Sequence, residues 1–256
     1  MRARRWLTRA LTVWTLAGGA ATGAQSISGA VLAKNEPHHH LAYEDAALRV
    51  LRVSVPAHDT TLLHEHDPDY FWISLGASEV VNAKLGASDA VVKSADLSIH
   101  YAVGKFAHVA RNPGTVTFNN ITVELLGRQT NPRNLCEEAV AGVPLACPKS
   151  GSAPQPGITR KPAFATDQLE VALVTIAARA TMAGSEAQPA PWLITLDPAD
   201  ARALRAEVTM ERNPAGPGER LEWRGGVWRP VPRSGWSVTN AGGRPVRMLE
   251  VTPRAP

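Results

Sequence analysis

The feature that most constrains this chain is an internal repeat. Shifted by 121 residues, LRVLRVSVPAHDTTLLHEHDPDYFWISLG (48–76) lies without a gap on LEVALVTIAARATMAGSEAQPAPWLITLD (169–197). Leu48 meets Leu169, Val50 meets Val171, Val53 meets Val174, Thr60 meets Thr181, Pro68 meets Pro189 and Ile73 meets Ile194. A second block, FAHVARNPG (106–114), lies on SGWSVTNAG (234–242) at an offset of 128, bringing Asn112 onto Asn240 and His108 onto Trp236. Alternating apolar residues are common to all strands. Two blocks in the same order at nearly one offset are more specific, because a slip of one residue would turn every apolar side chain to the wrong face. The repeat predicts two homologous β modules, residues 31–130 and 163–256, joined by a connection over 131–162 that is longer than loops inside a compact domain usually are.

The rest of the pattern agrees with an all-β chain. Short apolar runs rich in β-branched residues (Leu48–Val55, Tyr70–Leu75, Thr115–Leu126, Leu169–Ile176, Val246–Val251) alternate with turn-rich stretches, and 20 Gly and 20 Pro leave little room for long helices. This predicts a sandwich or barrel. One exception is Pro198–Met210, where apolar spacing and Asp200 as an N-cap predict a short helix over 198–210, with a strand starting near Arg205 as the alternative. Cys136 and Cys147 stand in the Pro/Gly/Asn-rich connection with no His or further Cys beside them. A disulfide closing that loop is expected, not a zinc site.

The charge balance narrows the partners. Lys and Arg number 27 against 23 Asp and Glu, a formal net charge of +4. Arg2, Arg4, Arg5 and Arg9 fall within the first 30 residues, which contain no acid, and without them the chain stands at 23 against 23. The electrostatic basis for nucleic-acid binding therefore disappears. Basic Met1–Arg5 followed by a small, apolar run from Trp6 to Ala24 reads as a signal peptide over 1–30, with cleavage after Ala24 or Ala30. The Arg4-Arg5 pair leaves Sec and twin-arginine export both open, and an uncleaved interfacial anchor is the alternative. No other stretch approaches the ~18–20 apolar residues of a bilayer span. The mature protein is expected to be periplasmic or secreted, without a transmembrane span, in a compartment that suits a disulfide.

The two copies differ in one chemical respect. His64-Glu65-His66 falls on Ser185-Glu186-Ala187, and His108 falls on Trp236, so three histidines are absent together while the frame around them persists. Residues i and i+2 of a strand share a face, so His64 and His66 can aim at one point, with His108 arriving from another strand. Three neutral imidazoles with an open position suit a catalytic-type site for iron, manganese, zinc or nickel. Trp236 reads as filling the space that imidazole and metal would take.

Together these residues resemble the cupin superfamily. PAHDTTLLHEHDPDYFWISLG supplies the His-x-His and closing Gly76 of its first motif, and YAVGKFAHVARN supplies His108, three residues and Asn112 of its second, with Gly104 one place early and the proline absent. The resemblance covers about residues 44–126, and the repeat extends it to a bicupin-like chain. It implies two double-stranded β-helix modules, the first binding a divalent metal through His64, His66 and His108. The departure is at the motif's glutamate, where the sequence has Tyr70 and Phe71. Asp69 has the opposite strand parity, and Glu65 should face outward. Tyr70 is the candidate fourth ligand or pocket residue. Three-histidine sites occur among cupin-fold thiol dioxygenases, so the missing carboxylate is compatible with metal binding.

The other polar residues weigh less. His38-His39-His40 reads as a mobile polar tract after the leader, with adventitious metal binding or feeding of the site as the alternative, and His58 and His100 read as loop or strand-surface residues. Glu124 lines the barrel only if its parity matches that of His108. Phe71 and Trp72 are read as core, with a pocket wall as the alternative. No P-loop, dinucleotide-binding, nucleophile-elbow or helical zinc-protease motif occurs. The functional expectation is an exported cupin binding one divalent metal and a small oxygen-rich or anionic ligand, as an enzyme of dioxygenase or isomerase type. The alternative is a non-enzymatic periplasmic ligand-binding, metal-binding or interaction protein. The sequence does not give the oligomeric state; a homodimer is what the resemblance allows, since cupins often pair through sheet edges.

Overall fold

The computed structural model describes residues 27, 29–149, 155–185, 187–209, 225–230 and 235–254. Of the signal peptide read over 1–30, only Ile27, Gly29 and Ala30 are among them. The first half of the chain supplies β1 (Val31–Leu32), β2 (His39–Glu44), β3 (Leu48–Val55), β4 (His64–His66), β5 (Tyr70–Ser74), β6 (Ser78–Lys84), β7 (Ala90–Ser94), β8 (Ile99–Ala102), β9 (Phe106–Arg111) and β10 (Phe118–Leu125). The second supplies β11 (Arg133–Asn134), β12 (Ile158–Ala165), β13 (Leu169–Ile176), β14 (Thr181–Gly184), β15 (Trp192–Thr195), β16 (Leu204–Thr209), β17 (Val227–Trp228), β18 (Gly235–Asn240) and β19 (Val246–Pro253). No helix among the described residues is long and apolar enough to cross a membrane.

Each half folds as two facing sheets. In the first, β1-β4-β9-β6-β7 opposes β2-β3-β10-β5-β8; in the second, β14-β18-β16 opposes β11-β12-β13-β19-β15-β17. The ladders repeat as the sequence does. Ile121 pairs with Ile73 and Arg52 in the first half, and Leu249 pairs with Ile194 and Leu173 in the second, at the offsets of 128 and 121 read from the sequence.

The sheets that contain β3 and β13 are buried on both faces, which explains why these two strands share one pattern with adjacent apolar residues, LRVLRVSV and LEVALVTI. One face of each forms a shared core between the halves, including Val50, Phe71, Ile73, Ile121, Val123, Phe164, Val171, Trp192, Ile194 and Val251. The opposite faces look into the two barrels. Leu51, Val53, Val55, Val80 and Phe118 cluster in the first. Val174, Ile176, Met182, Leu193, Trp228, Trp236 and Met248 cluster in the second. Between the halves, the Arg52 guanidinium donates to the carbonyls of Thr195 (2.9 Å), Leu196 (3.1 Å) and Gly225 (3.2 Å).

The two matched asparagines hold the same turn in each half. Asn112 Nδ2 donates to the carbonyls of Val55, Pro56 and Val116 while its Oδ1 accepts from Gly114 N–H. Asn240 Nδ2 donates to Ile176, Ala177 and Arg244 while its Oδ1 accepts from Gly242 N–H. Both are buried. Their role is to satisfy backbone groups that the turn would otherwise leave unpaired.

One local expectation changes, the helix cap. The segment beginning at Pro198 is the expected short helix, of 3-10 type over Pro198–Ala203, and a strand takes over at Leu204, next to the Arg205 start read as the alternative. Its cap is Asp197, whose Oδ1 accepts from Ala199 N–H at 2.8 Å. Asp200 is buried and accepts instead from Arg244 at 2.6 Å. Pairing of β16 with β18 from Leu204 onward outweighs the weak helical spacing. The Cys136–Cys147 disulfide is formed as expected. The loop it closes is ordered around fully buried Asn134, which bonds to Val140 and Val143 carbonyls and to Ala139 and Val140 N–H groups.

Candidate metal centre

The first barrel closes around histidines. β4 pairs with β9 so that His64 stands directly opposite His108, and His66 follows two residues on along the same face. The ligand-capable nitrogens of His64, His66 and His108 lie within 4.8 Å of one another, and all three residues are buried. Each Nδ1 is held by an acceptor. His64 Nδ1 is 2.9 Å from the Leu62 carbonyl, His66 Nδ1 is 3.0 Å from Glu124 Oε1, and His108 Nδ1 is 2.8 Å from Asn82 Oδ1. Such bonds place the proton on Nδ1 and leave the Nε2 lone pair for a metal. Nε2 of His64 and of His108 is buried with no hydrogen-bond partner among the described residues. A buried polar atom without a partner is costly, and a metal ion is the partner this donor set fits.

The electrostatics hold the His64 and His108 imidazoles neutral. Burial, then the neighbouring His66, lowers the pKa of His64 to about 4. Burial followed by the facing His64 and His66 lowers that of His108 to about 2. Burial alone would raise the Glu124 pKa, but hydrogen bonding and charge from His66 and Arg49 bring it below the usual carboxylate value. Arg49 bonds Glu124 on one side and Glu44 on the other, so a chain of charged groups runs from the surface to His66.

A cavity with about 540 Å³ of space, its solvent mouth included, opens onto the three histidines. Tyr70 lines it and stacks flat on His66, with ring centroids 4.1 Å apart. Burial and the charge of Glu124 raise its phenol pKa, keeping it neutral. Asp69 turns away, accepting from the Tyr101 hydroxyl and from Gly104 N–H. Gly104 is required where it stands, because a Cβ there would lie 2.3 Å from the Pro68 carbonyl oxygen. Glu65 faces away from the cavity as expected but is buried, accepting from Ile27 N–H at 2.7 Å. Glu124 does point into the same barrel, where it reaches His66 Nδ1 behind the cavity wall, and Trp72 forms cavity wall while Phe71 is core.

No family model and no curated protein matches this chain. Solved structures do. AerE from Microcystis aeruginosa superposes with a TM-score of 0.57 over 86% of this chain and 94% of its own, at 10% identity. Bacillus subtilis oxalate decarboxylase, studied for its Mn(II) centres, superposes with a TM-score of 0.52 over 81% of this chain and 69% of its own, at 13% identity. The fold is that of the cupins. Within this cupin fold the three histidines predicted from the His-x-His spacing and the repeat stand together.

Other residues escaped sequence reasoning. The His38–His40 stretch is not a mobile tract, because β2 pairs with β3 and His39 opposite Val53 faces the cavity. His39 Nδ1 is 2.9 Å from the Ala33 carbonyl, and its ring meets that of His64 edge-on at 4.6 Å. Burial, then His64 and His66, lowers its pKa to about 2. Buried Glu36 accepts from Leu62 N–H at 3.2 Å, steadying the residue whose carbonyl orients His64. Asn82 was also unforeseen.

The facing pairs correct one detail of the repeat. Thr60 bridges Arg111, and Thr181 pairs with Thr239, as the offsets require. Yet His64 faces His108, whereas Gly184, not Ser185, faces Trp236. The first half carries one extra residue between Thr60 and His64, and that stretch contains Leu62, the partner of His64 Nδ1. Glu186 lies outside the described residues.

Proposed function

We propose that this chain is an exported two-module cupin whose first module, 31–130, binds one divalent transition metal through Nε2 of His64, His66 and His108. The second module, 163–256, would lack a site, and 131–162 would join them through the disulfide-bearing loop. The observation that carries the reading is the pair of buried, unpartnered Nε2 atoms on His64 and His108, in a cluster whose every Nδ1 is already engaged. Iron, manganese, zinc and nickel all suit the donor set. When bound, the ion would supply Lewis-acid or redox chemistry to a small oxygen-bearing ligand. Glu124 and Asn82 would orient the ligating rings, and Tyr70 would hold His66 by stacking. Export rests on the basic, acid-free N-terminus and agrees with the disulfide.

The activity is proposed as that of a metal-dependent enzyme of oxygenase or isomerase type. A second reading, a ligand-binding protein without turnover, is favoured by one observation: among the described residues the cavity wall contains no carboxylate and no lysine to move a proton. Metal analysis of protein purified without a histidine tag separates these readings. About one equivalent of metal is expected in the wild type and near none in His64→Ala or His108→Ala; a wild type without metal overturns the proposal. Metal present without oxygen uptake on thiols, diols or phenols selects the binding reading.

A further inference from the structure

The cavity walls narrow the class of ligand, an inference that rests on the metal reading above. Its lining has a polar set, with His64, His66 and His108 together with Asn120 and Thr122, and an apolar set: Val53, Trp72, Val80, Val92, Ala110 and Phe118. Among the described residues no arginine or lysine lines it. A second carboxylate held away from the metal would therefore lose its hydration against hydrocarbon with no cation to offset the loss. Trp72 is fixed in place, stacked on His100 at 4.3 Å and meeting Phe118 edge-on at 5.9 Å, while His100 is bonded to the Ser98 hydroxyl at 3.0 Å. This gives a preformed apolar surface, not a collapsible one. The Thr122 hydroxyl donates to Asn120 Oδ1 at 2.9 Å, which leaves the Asn120 amide nitrogen free to donate into the cavity.

We propose that the site takes a ligand in two parts: an oxygen head that reaches the histidine-held metal and one donor on Asn120, and an uncharged flat body of about aryl size lying against Trp72, Phe118 and the valines. Small dicarboxylates are excluded as its natural ligand class.

The test is calorimetric titration of the zinc-loaded full chain with three chelators: acetohydroxamate, benzohydroxamate and oxalate. Both hydroxamates present the same metal-binding head and differ only in the phenyl body. Benzohydroxamate is expected to bind at least about tenfold tighter than acetohydroxamate, as burial of an aryl surface requires, and oxalate weaker than benzohydroxamate. In Trp72→Ala, and independently in Val92→Asn on the half-exposed edge strand, that ratio should fall toward unity while zinc stays at about one equivalent. Equal affinity of the two hydroxamates for the loaded wild type, or oxalate as the tightest ligand, overturns the inference and leaves the metal reading intact. A chain that takes up no zinc overturns the metal reading, and this inference with it.

Discussion

The two barrels share a backbone plan and differ in what fills them. At four positions that build the first site, the second has a residue that cannot. His108 is matched by Trp236, and His64 by Gly184 across the same strand pair. Asn82, which orients His108 from β6, is matched by Ala206 on β16. Glu124, which orients His66, is matched by Thr252. Among the described residues, these two ligands and two orienting groups are therefore present together in one barrel and absent together in the other. Gly184 shows how complete the exchange is, because a Cβ there would lie 2.3 Å from the Trp236 indole. The first interior keeps buried polar groups and open space; the second replaces them with close-packed hydrocarbon. A barrel of this plan can support either a site or a core, and the occupants of two facing strands decide which.

The largest test of that contrast is at the matched pair. Trp236→Ala should destabilise the chain by about 3–5 kcal/mol in chemical denaturation, the usual cost of emptying a large aromatic site. His108→Ala, measured on chelator-stripped protein, should cost only about 1 kcal/mol, since it loses one hydrogen bond and an imidazole whose Nε2 had no partner. Equal losses at the two positions would mean that the first barrel is packed as a core as well. Asn112 and Asn240 give the complementary control. Because both hold the same turn by the same four bonds, Asn112→Ala and Asn240→Ala should cost similar amounts, about 2–3 kcal/mol each.

Glu124→Gln sharpens the comparison at the orienting group. The amide keeps the shape of the carboxylate but removes its charge beside His66 and Arg49. Metal affinity, measured by competition with a chromophoric chelator, should fall by about 10–100-fold, the range for groups that orient a ligating histidine. Thr252→Val at the matched position should leave it unchanged. An unaltered affinity in Glu124→Gln would remove Glu124 from the site.

How much of this was legible in the sequence follows from which signals are local. The ladders were, because in-phase apolar alternation over two blocks fixes strand, register and repeat together. His64 and His66 were, because i and i+2 share a face, and His108 because the repeat marked it as exchanged. The polar set Asn120, Thr122 and Glu124 alternates with Ile121, Val123 and Leu125, and such a set ordinarily faces water. Only the tertiary packing, in which the apolar face meets the other half, turns the polar face into the cavity. His39 was illegible for the same reason: HHLAYE has no alternation of its own, and its orientation comes from pairing with β3. The extra residue before His64 was hidden because an ungapped alignment absorbs it without disturbing the apolar phase at Ile73.

The smallest expected effect is the slope of stability with pH, and it too separates the barrels. His39, His64 and His108 are neutral in the folded chain, with pKa values lowered mainly by burial to about 2, 4 and 2, against an ordinary value of 6.5. Between 6.5 and those values the unfolded chain binds protons that the folded chain does not. Stability is therefore full above about pH 6.5 and declines as pH falls, by up to about 1.4 kcal/mol per pH unit for each histidine. Removing one of them by His108→Asn should flatten the slope of chelator-stripped protein by about that amount between pH 4 and 6.5. Trp236→Phe, at the matched place in the other barrel, should lower stability without changing the slope, because Trp236 carries no titrating group. An unchanged slope in His108→Asn would mean that this imidazole binds its proton alike in the folded and unfolded chain, and would overturn the lowered pKa.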